Sequence, residues 1–381
     1  MFKQSRLLKK LDHTLLAVVA LILIFSLITI YSATKDDELL KNDFVKQIIN
    51  IAIGLVAMVI MLNINYEDLL KHMKLLYILN LVILGAVIFM GDSSLGAQRW
   101  IEIGPFRFQP SEFAKLIIIV SFAVFLNSRQ GKLKKFRDLI PCFAFIGIPT
   151  LLILKQPDLG TSLVFMAIMF GMLFAAGARP WLLASLIAGS LAFVCLWIWA
   201  HFWLADNYAY NLWIPLKDYQ LNRLTIFLNP WVDWHGDGYH VIQSQIAIGQ
   251  GGFLGRGLFQ GSQTHGSFLP IQDTDFIFSV VGEELGFVGA VTLLFLFFIL
   301  IYRCIYIAVN AKDNFGYLLT TGVISMLAFH ILVNVGMTTG IMPVTGIPLP
   351  MFSYGGSNMI TNLAALGLLL NINMKKKNIL F

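Results

Sequence analysis

GAVTLLFLFFILIY, residues 289–302, is aliphatic or aromatic on every face that a helix would present, so no side of it suits water. Extended back to Phe276 and on to Arg303, it exceeds the roughly 20 residues that a bilayer core requires. Comparable runs fall at 14–33, 45–63, 75–90, 112–127, 139–154, 160–177, 181–203, 316–340 and 355–372. The chain therefore reads as an all-α polytopic membrane protein. One integral domain over 1–381 contains ten transmembrane helices, with a large loop, 204–275, between helices 7 and 8. Composition agrees, since 57% of the 381 residues are hydrophobic and 13% charged, about half the charge share of a soluble domain.

The net charge of +6 is not the mark of a nucleic-acid binder, because most of the Lys and Arg fall in one alternating set of loops and tails. That set holds Lys3, Arg6, Lys9, Lys10, Lys71, Lys74, Arg129, Lys132, Lys134, Lys135, Arg137, Arg179, Arg303, Lys312 and Lys375 to Lys377. The positive-inside bias places both termini in the cytoplasm and the 204–275 loop outside. The segment after Lys10 lacks a small-residue cleavage site, so the first helix reads as a retained anchor. Cys142, Cys195 and Cys304 lie in apolar segments without ligand spacing and read as packing residues.

The unusual polar clusters fall on the outer side. In GAQRWIEIGPFRFQPSEFAK, 96–115, Pro110 starts a helix, and Glu112 and Lys115 share a face one turn apart. A snorkelling Lys with a surface ion pair explains that pattern equally well. Arg99 precedes the helix, and KQPDLGT, 155–161, adds Asp158 at the mouth of another span. Arg99 and Lys115, with Lys155 as a third cation, suit a pyrophosphate. Asp158 serves equally as a helix cap.

YQLNRLTIFLNP, 219–230, brings Tyr219 and Arg223 to the same side. GDGYHVIQSQIAIGQGGFLGRG follows, and then FLPIQDTDFIFSVVGEELG, in which Asp275 stands at the start of an apolar run. By local pattern, Asp273 and Asp275 read as an N-cap pair. Glu283 and Glu284 lie two turns deeper and require a partner, expected to be a cation on another helix. The tryptophans of the loop, Trp203, Trp213, Trp231 and Trp234, suggest short amphipathic helices at the membrane interface. In HILVNVGMTTGIMPVTGIPLPMFSYGGSN, 330–358, the Ser353, Gly355, Gly356, Ser357 core offers backbone amides to a polar cavity.

Taken in order, GAQRWI, FQPSEFAK, QPDLGT, GYHVIQSQIAIGQGG, TDFIFSVVGEELG and the 334–358 segment closely resemble the shape, elongation, division and sporulation (SEDS) family, nearly end to end. The resemblance implies ten helices and a peptidoglycan glycosyltransferase. Its substrate would be lipid II, a disaccharide pentapeptide on undecaprenyl pyrophosphate, joined into β-1,4-linked strands. It implies a class B penicillin-binding protein as partner, with the elongation machinery and the surrounding membrane lipid. It also makes Asp275 the catalytic residue, against the capping reading, and gives weight to Lys115 and Asp158. The chain departs from the family where a His becomes Asp273 and where a common Glu becomes Ile271. A second carboxylate at 273 would raise the pKa of Asp275.

An α-linked leaving group and a β product require inversion, for which one general base suffices. Asp275 would take the proton, while Lys115 and Arg99 hold the departing pyrophosphate. No carboxylate cluster compels a metal, so no cofactor is assigned, and a divalent cation assisting departure stays open. A lipid II flippase, an O-antigen ligase and the division branch of the family are the alternatives. The outward crowding of polar groups favours an enzyme, and the short N-terminal tail and the absence of an extension after Phe381 favour the elongation branch.

Overall fold

The computed structural model describes residues 11–36, 40–90, 99–103, 106–208, 218–234, 236–266, 268–269 and 271–376. The basic residues before Leu11, residues 91–98, Trp213 and Lys377 lie outside the described residues.

The chain is nearly all helical. Its long helices are α1 (His13–Thr34), α2 (Lys41–Asn63), α3 (Met73–Met90), α4 (Pro110–Asn127), α5 (Phe136–Lys155), α6 (Leu159–Ala175) and α7 (Pro180–Tyr208). After the shorter α8 (Asp218–Leu228), α9 (Asp237–Gly251) and α10 (Ser262–His265) come α11 (Ile277–Val309), α12 (Asn314–Thr338) and α13 (Gly356–Met374). Every apolar run marked in the sequence coincides with one of the long helices. Among the described residues, eight helices are long and apolar enough to cross a membrane. The other two expected spans are also helices. α6 is short, at 17 residues, and α13 carries Asn358, Asn362, Asn371 and Asn373, all buried.

Local chemistry sets the helix starts. Asp12 accepts from the Leu15 amide at 3.0 Å, and Asp313 from the Gly316 amide at 2.7 Å, satisfying orphan N–H groups of the first turn. Pro110 occupies the first turn of α4, where its missing N–H costs nothing. The segment before α4 contains an antiparallel pair, β1 (Ile101–Ile103) with β2 (Phe106–Phe108), in register Ile101 to Phe108. The alternation I-E-I and F-R-F allows it.

α12 lies at the centre, packed against α4, α6, α11 and α13. α13 runs along α2 at close range. A Cβ added at Gly367 would stand 2.3 Å from the Met58 carbonyl oxygen, so helix contact without a hydrophobic driving force here depends on a small residue. α11 is broken at Gly286, whose φ of 62° and ψ of −158° leave the helical region. The freed amides of Phe287 and Val288 donate to the carbonyls of Gly252 and Phe253 at 2.9 and 3.2 Å, which docks the loop before α10 onto α11. α7 is the least buried long helix, with Trp181 87% and Trp199 62% exposed. Cys195, on α7, is exposed and so is not the buried packing residue expected from the sequence, unlike Cys142 and Cys304.

Candidate active site

Lys115 lies one turn into α4 and is 1% exposed. Its Nζ donates to Glu112 Oε1 at 2.7 Å and to His330 Nε2, on α12, at 3.1 Å. The surface ion pair considered from the sequence is thus a buried one. Two of the three ammonium N–H bonds are used. Glu112 Oε2 has no hydrogen-bond partner among the described residues. Both side chains line a small polar cavity of about 30 Å³, together with Arg99, Gln109, Asp158 and Thr161, room for a water-sized group.

Asp158 does two jobs at the mouth of α6. It caps the helix, accepting from the Thr161 amide at 3.0 Å and from Thr161 Oγ1 at 2.9 Å. It also accepts from Gln109 Nε2 at 3.3 Å, across to the start of α4. Arg99 donates to the carbonyl of Pro157 next to it. Asp158 therefore caps the helix and lines the cavity at once.

Asp275 does not cap α11, whose N-cap is Phe276 with no side-chain bond. Its backbone carbonyl accepts from Asn334 Nδ2 at 3.0 Å. Its carboxylate faces Gly346, where an added Cβ would stand 3.4 Å from Oδ2. Burial pushes this carboxyl up from 3.8 to about 6, against the pull of Arg223 and Arg99 and with a smaller push from Asp158. Asp158, 117 positions earlier in the chain, is thus a like charge acting on it that the sequence did not suggest. The hydroxyl of Tyr219 is also raised, chiefly by burial. Gln220, Arg99 and Arg223 oppose the rise, and Asp158 adds to it. Arg223 stands 5.9 Å from the Tyr219 ring. Arg99, Asp158, Tyr219, Arg223 and Asp275, spread over 177 positions of the sequence, thus share one electrostatic neighbourhood.

The 353–357 segment lies beside this group and braces it. Ser353 Oγ donates to the Thr274 carbonyl at 2.7 Å and accepts from the Leu349 amide at 2.8 Å. Ser357 Oγ accepts from the Gln109 amide at 3.0 Å. The Gly355 amide donates to Gln47 Oε1 at 3.3 Å, and Gly356 packs on Asn50 of α2. Lys155 is exposed and does not line the cavity. Of the deeper acids, Glu284 Oε1 accepts from Ser32 Oγ of α1 at 2.5 Å and lies 3.2 Å from His265 Nε2. Glu283 instead takes neutral donors, the amides of Gln263 and Thr264 at 2.7 and 3.0 Å. Among the described residues no group of three or more His, Cys, Asp or Glu is arranged to hold a metal ion. Sequence reasoning passed over Gln109, Thr161, His330 and Asn334. A histidine inside an apolar span was the available signal for His330.

The family model of the FtsW, RodA and SpoVE cell cycle proteins matches residues 8–378. The chain belongs to that family. It is 38% identical over 376 residues to the peptidoglycan glycosyltransferase MrdB of Escherichia coli K12, covering 96% of this chain and 94% of that one. It is 37% identical to the stage V sporulation protein E of Bacillus subtilis 168, covering 95% and 96% of the two chains. Among solved structures, it matches a chain of a peptidoglycan synthase complex that coordinates polymerization and crosslinking, with a TM-score of 0.77 at 33% identity over 96% of this chain and 98% of that one. It also matches the rod shape determining protein RodA of Thermus thermophilus, with a TM-score of 0.69 at 28% identity over 97% and 98%.

Proposed function

We propose that this chain is a peptidoglycan glycosyltransferase that polymerises lipid II at the outer face of a bacterial inner membrane. The observation that carries the reading is the Asp275 carboxyl, set against Gly346 and under the electrostatic influence of Arg223 and Arg99, in a chain collinear with named peptidoglycan glycosyltransferases; burial raises that carboxyl to about 6. A base with that pKa is mostly ionised at neutral pH, yet far more basic than an ordinary carboxylate, which suits it to accept a proton in the transition state.

The 4-hydroxyl oxygen of the acceptor sugar attacks the anomeric carbon of the donor from the face opposite its pyrophosphate. The new C–O bond forms as the bond from that carbon to the pyrophosphate oxygen breaks, and the departing group keeps the electron pair. The hydroxyl proton passes to Asp275, and the α-linked donor gives a β link without a covalent enzyme intermediate. Lys115, Arg99 and Arg223 are the cations at hand for the charge that builds on the leaving oxygen, while Glu112 and Asp158 orient them. Tyr219 lies where it meets the sugar or its phosphates.

Ten spans, cytoplasmic termini and an outward 204–275 loop complete the reading, with the lipid tail staying in the bilayer beside the site. A class B penicillin-binding protein is the partner, docked on the lipid-facing side of α11 and α12. The deciding experiment incubates purified protein with lipid II, with and without that partner, and resolves the products by size. Glycan polymer supports the enzyme, and lipid II moved between leaflets without polymer would make the chain a flippase.

A further inference from the structure

His330 and Asn334 sit one turn apart on the same buried face of α12. Nδ1 of His330 lies 3.2 Å from the carbonyl oxygen of Pro348, and Nε2 lies 3.1 Å from Nζ of Lys115. A carbonyl only accepts, so Nδ1 carries the proton. An ammonium only donates, so Nε2 offers its lone pair. The ring is the neutral Nδ1–H tautomer, locked as an acceptor for Lys115 by a backbone group on its other side. Asn334 Nδ2 spends its two N–H bonds on the carbonyls of Asp275, at 3.0 Å, and of Ile347, at 2.8 Å.

One turn of one helix thus holds the ammonium of Lys115 and the backbone of Asp275. Through the adjacent carbonyls 347 and 348, it also grips the strand of loop that carries Gly346 against the Asp275 carboxylate. Without His330, the long side chain of Lys115 would be tethered only to Glu112 on its own helix, and its third N–H would no longer have a fixed direction toward the cavity. Asn334, in turn, ties the backbone of residue 275 to α12.

Resting on the reading of Asp275 as base and Lys115 as leaving-group cation, we propose that His330 and Asn334 are positioning residues that fix the separation between those two groups. A displacement of about 1 Å in a reacting arrangement costs on the order of 100-fold in rate. The role asks for hydrogen-bonding geometry and not for the imidazole itself. Glutamine at 330 accepts from Lys115 through its carbonyl oxygen and donates to Pro348 through its amide, so it substitutes. Leucine fills the same space and does neither.

The test uses the purified full-length chain with lipid II and measures kcat, KM and the thermal midpoint in detergent. His330→Leu is expected to lower kcat by about 100-fold with KM within a few-fold of wild type, and His330→Gln to stay within a few-fold on both. Asn334→Asp, equal in shape but without the N–H donors, should lower kcat similarly. If His330→Leu fails to fold, His330→Asn, polar but too short to span both partners, replaces it with the same expected loss. Full activity in the Leu or Asn variant overturns the proposal, as does equal impairment of Gln and Leu, which would reduce His330 to packing. Lys115→Ala and Asp275→Asn run in parallel. Polymerisation at full rate in either would sink the underlying assignment, whereas their loss beside a fully active His330→Leu would sink this inference alone.

Discussion

Nζ of Lys115 stands 2.7 Å from Oε1 of Glu112, and the two side chains are 1% and 5% exposed. A pair so placed cannot be traded for one charge. Removing either partner leaves the other desolvated, at a cost of about 3–5 kcal/mol. Lys115→Met should therefore lower both thermal stability and polymerisation. The double variant Lys115→Met with Glu112→Gln should regain most of the stability and none of the activity. Thermal midpoints and polymer yield measured on the same preparations separate the two effects, and full polymerisation by the double variant would return Lys115 to a purely structural role.

Asp275→Asn should lower polymerisation by roughly 10²–10⁴-fold, the usual worth of a general base, while lipid II binding persists. It should also stabilise the protein at neutral pH. A carboxyl raised from 3.8 to about 6 by folding favours the fold most when protonated, and that advantage is lost as pH rises through 6. The thermal midpoint of Asp275→Asn should exceed that of wild type at pH 7.5, and the gap should close between pH 6 and pH 4. A gap that widened on acidification would contradict the burial of this carboxyl.

The rate of the wild-type enzyme should fall below pH about 6 as the base takes its proton. Arg223 is the larger of the two positive influences that lower this pKa. Arg223→Gln should move the acid limb of the rate profile upward, by up to about 1 unit. An unmoved limb would place Arg223 out of reach of the carboxylate.

The direction of the chain across the membrane is open to labelling. With Cys142, Cys195 and Cys304 replaced, a cysteine introduced at Lys132 should react only with cytoplasmic reagent, and one at position 237 only with external reagent. Residue 132 is exposed and 195 is also exposed, so leaving Cys195 in place would blur the result. The reverse pattern would invert the topology and move Asp275 to the cytoplasmic side.

Phe295 and Phe298 of α11 are 59% and 65% exposed, with ring centroids 6.5 Å apart. Charged substitutions at both should weaken co-purification with a class B penicillin-binding protein and lower activity in the complex, leaving the activity of the isolated chain unchanged. Undiminished partner binding would assign that face to lipid.

The sequence by itself determined the helices and the candidate groups. Apolar runs such as 289–302 mark each long helix because hydropathy is summed along the chain. QPSEFAK, QPDLGT and TDF likewise stand out as polar signals at the ends of apolar segments. Only the tertiary structure decided what those groups do to each other. It made Asp158 a cap that also lines the cavity, denied Asp275 a capping role, and brought the charge of Asp158 to bear on it. It also brought His330 to Lys115 across 215 positions of sequence. Helix propensity and hydropathy are local, whereas burial, tautomer and pKa depend on which helices pack together, and that packing is a property of the whole bundle.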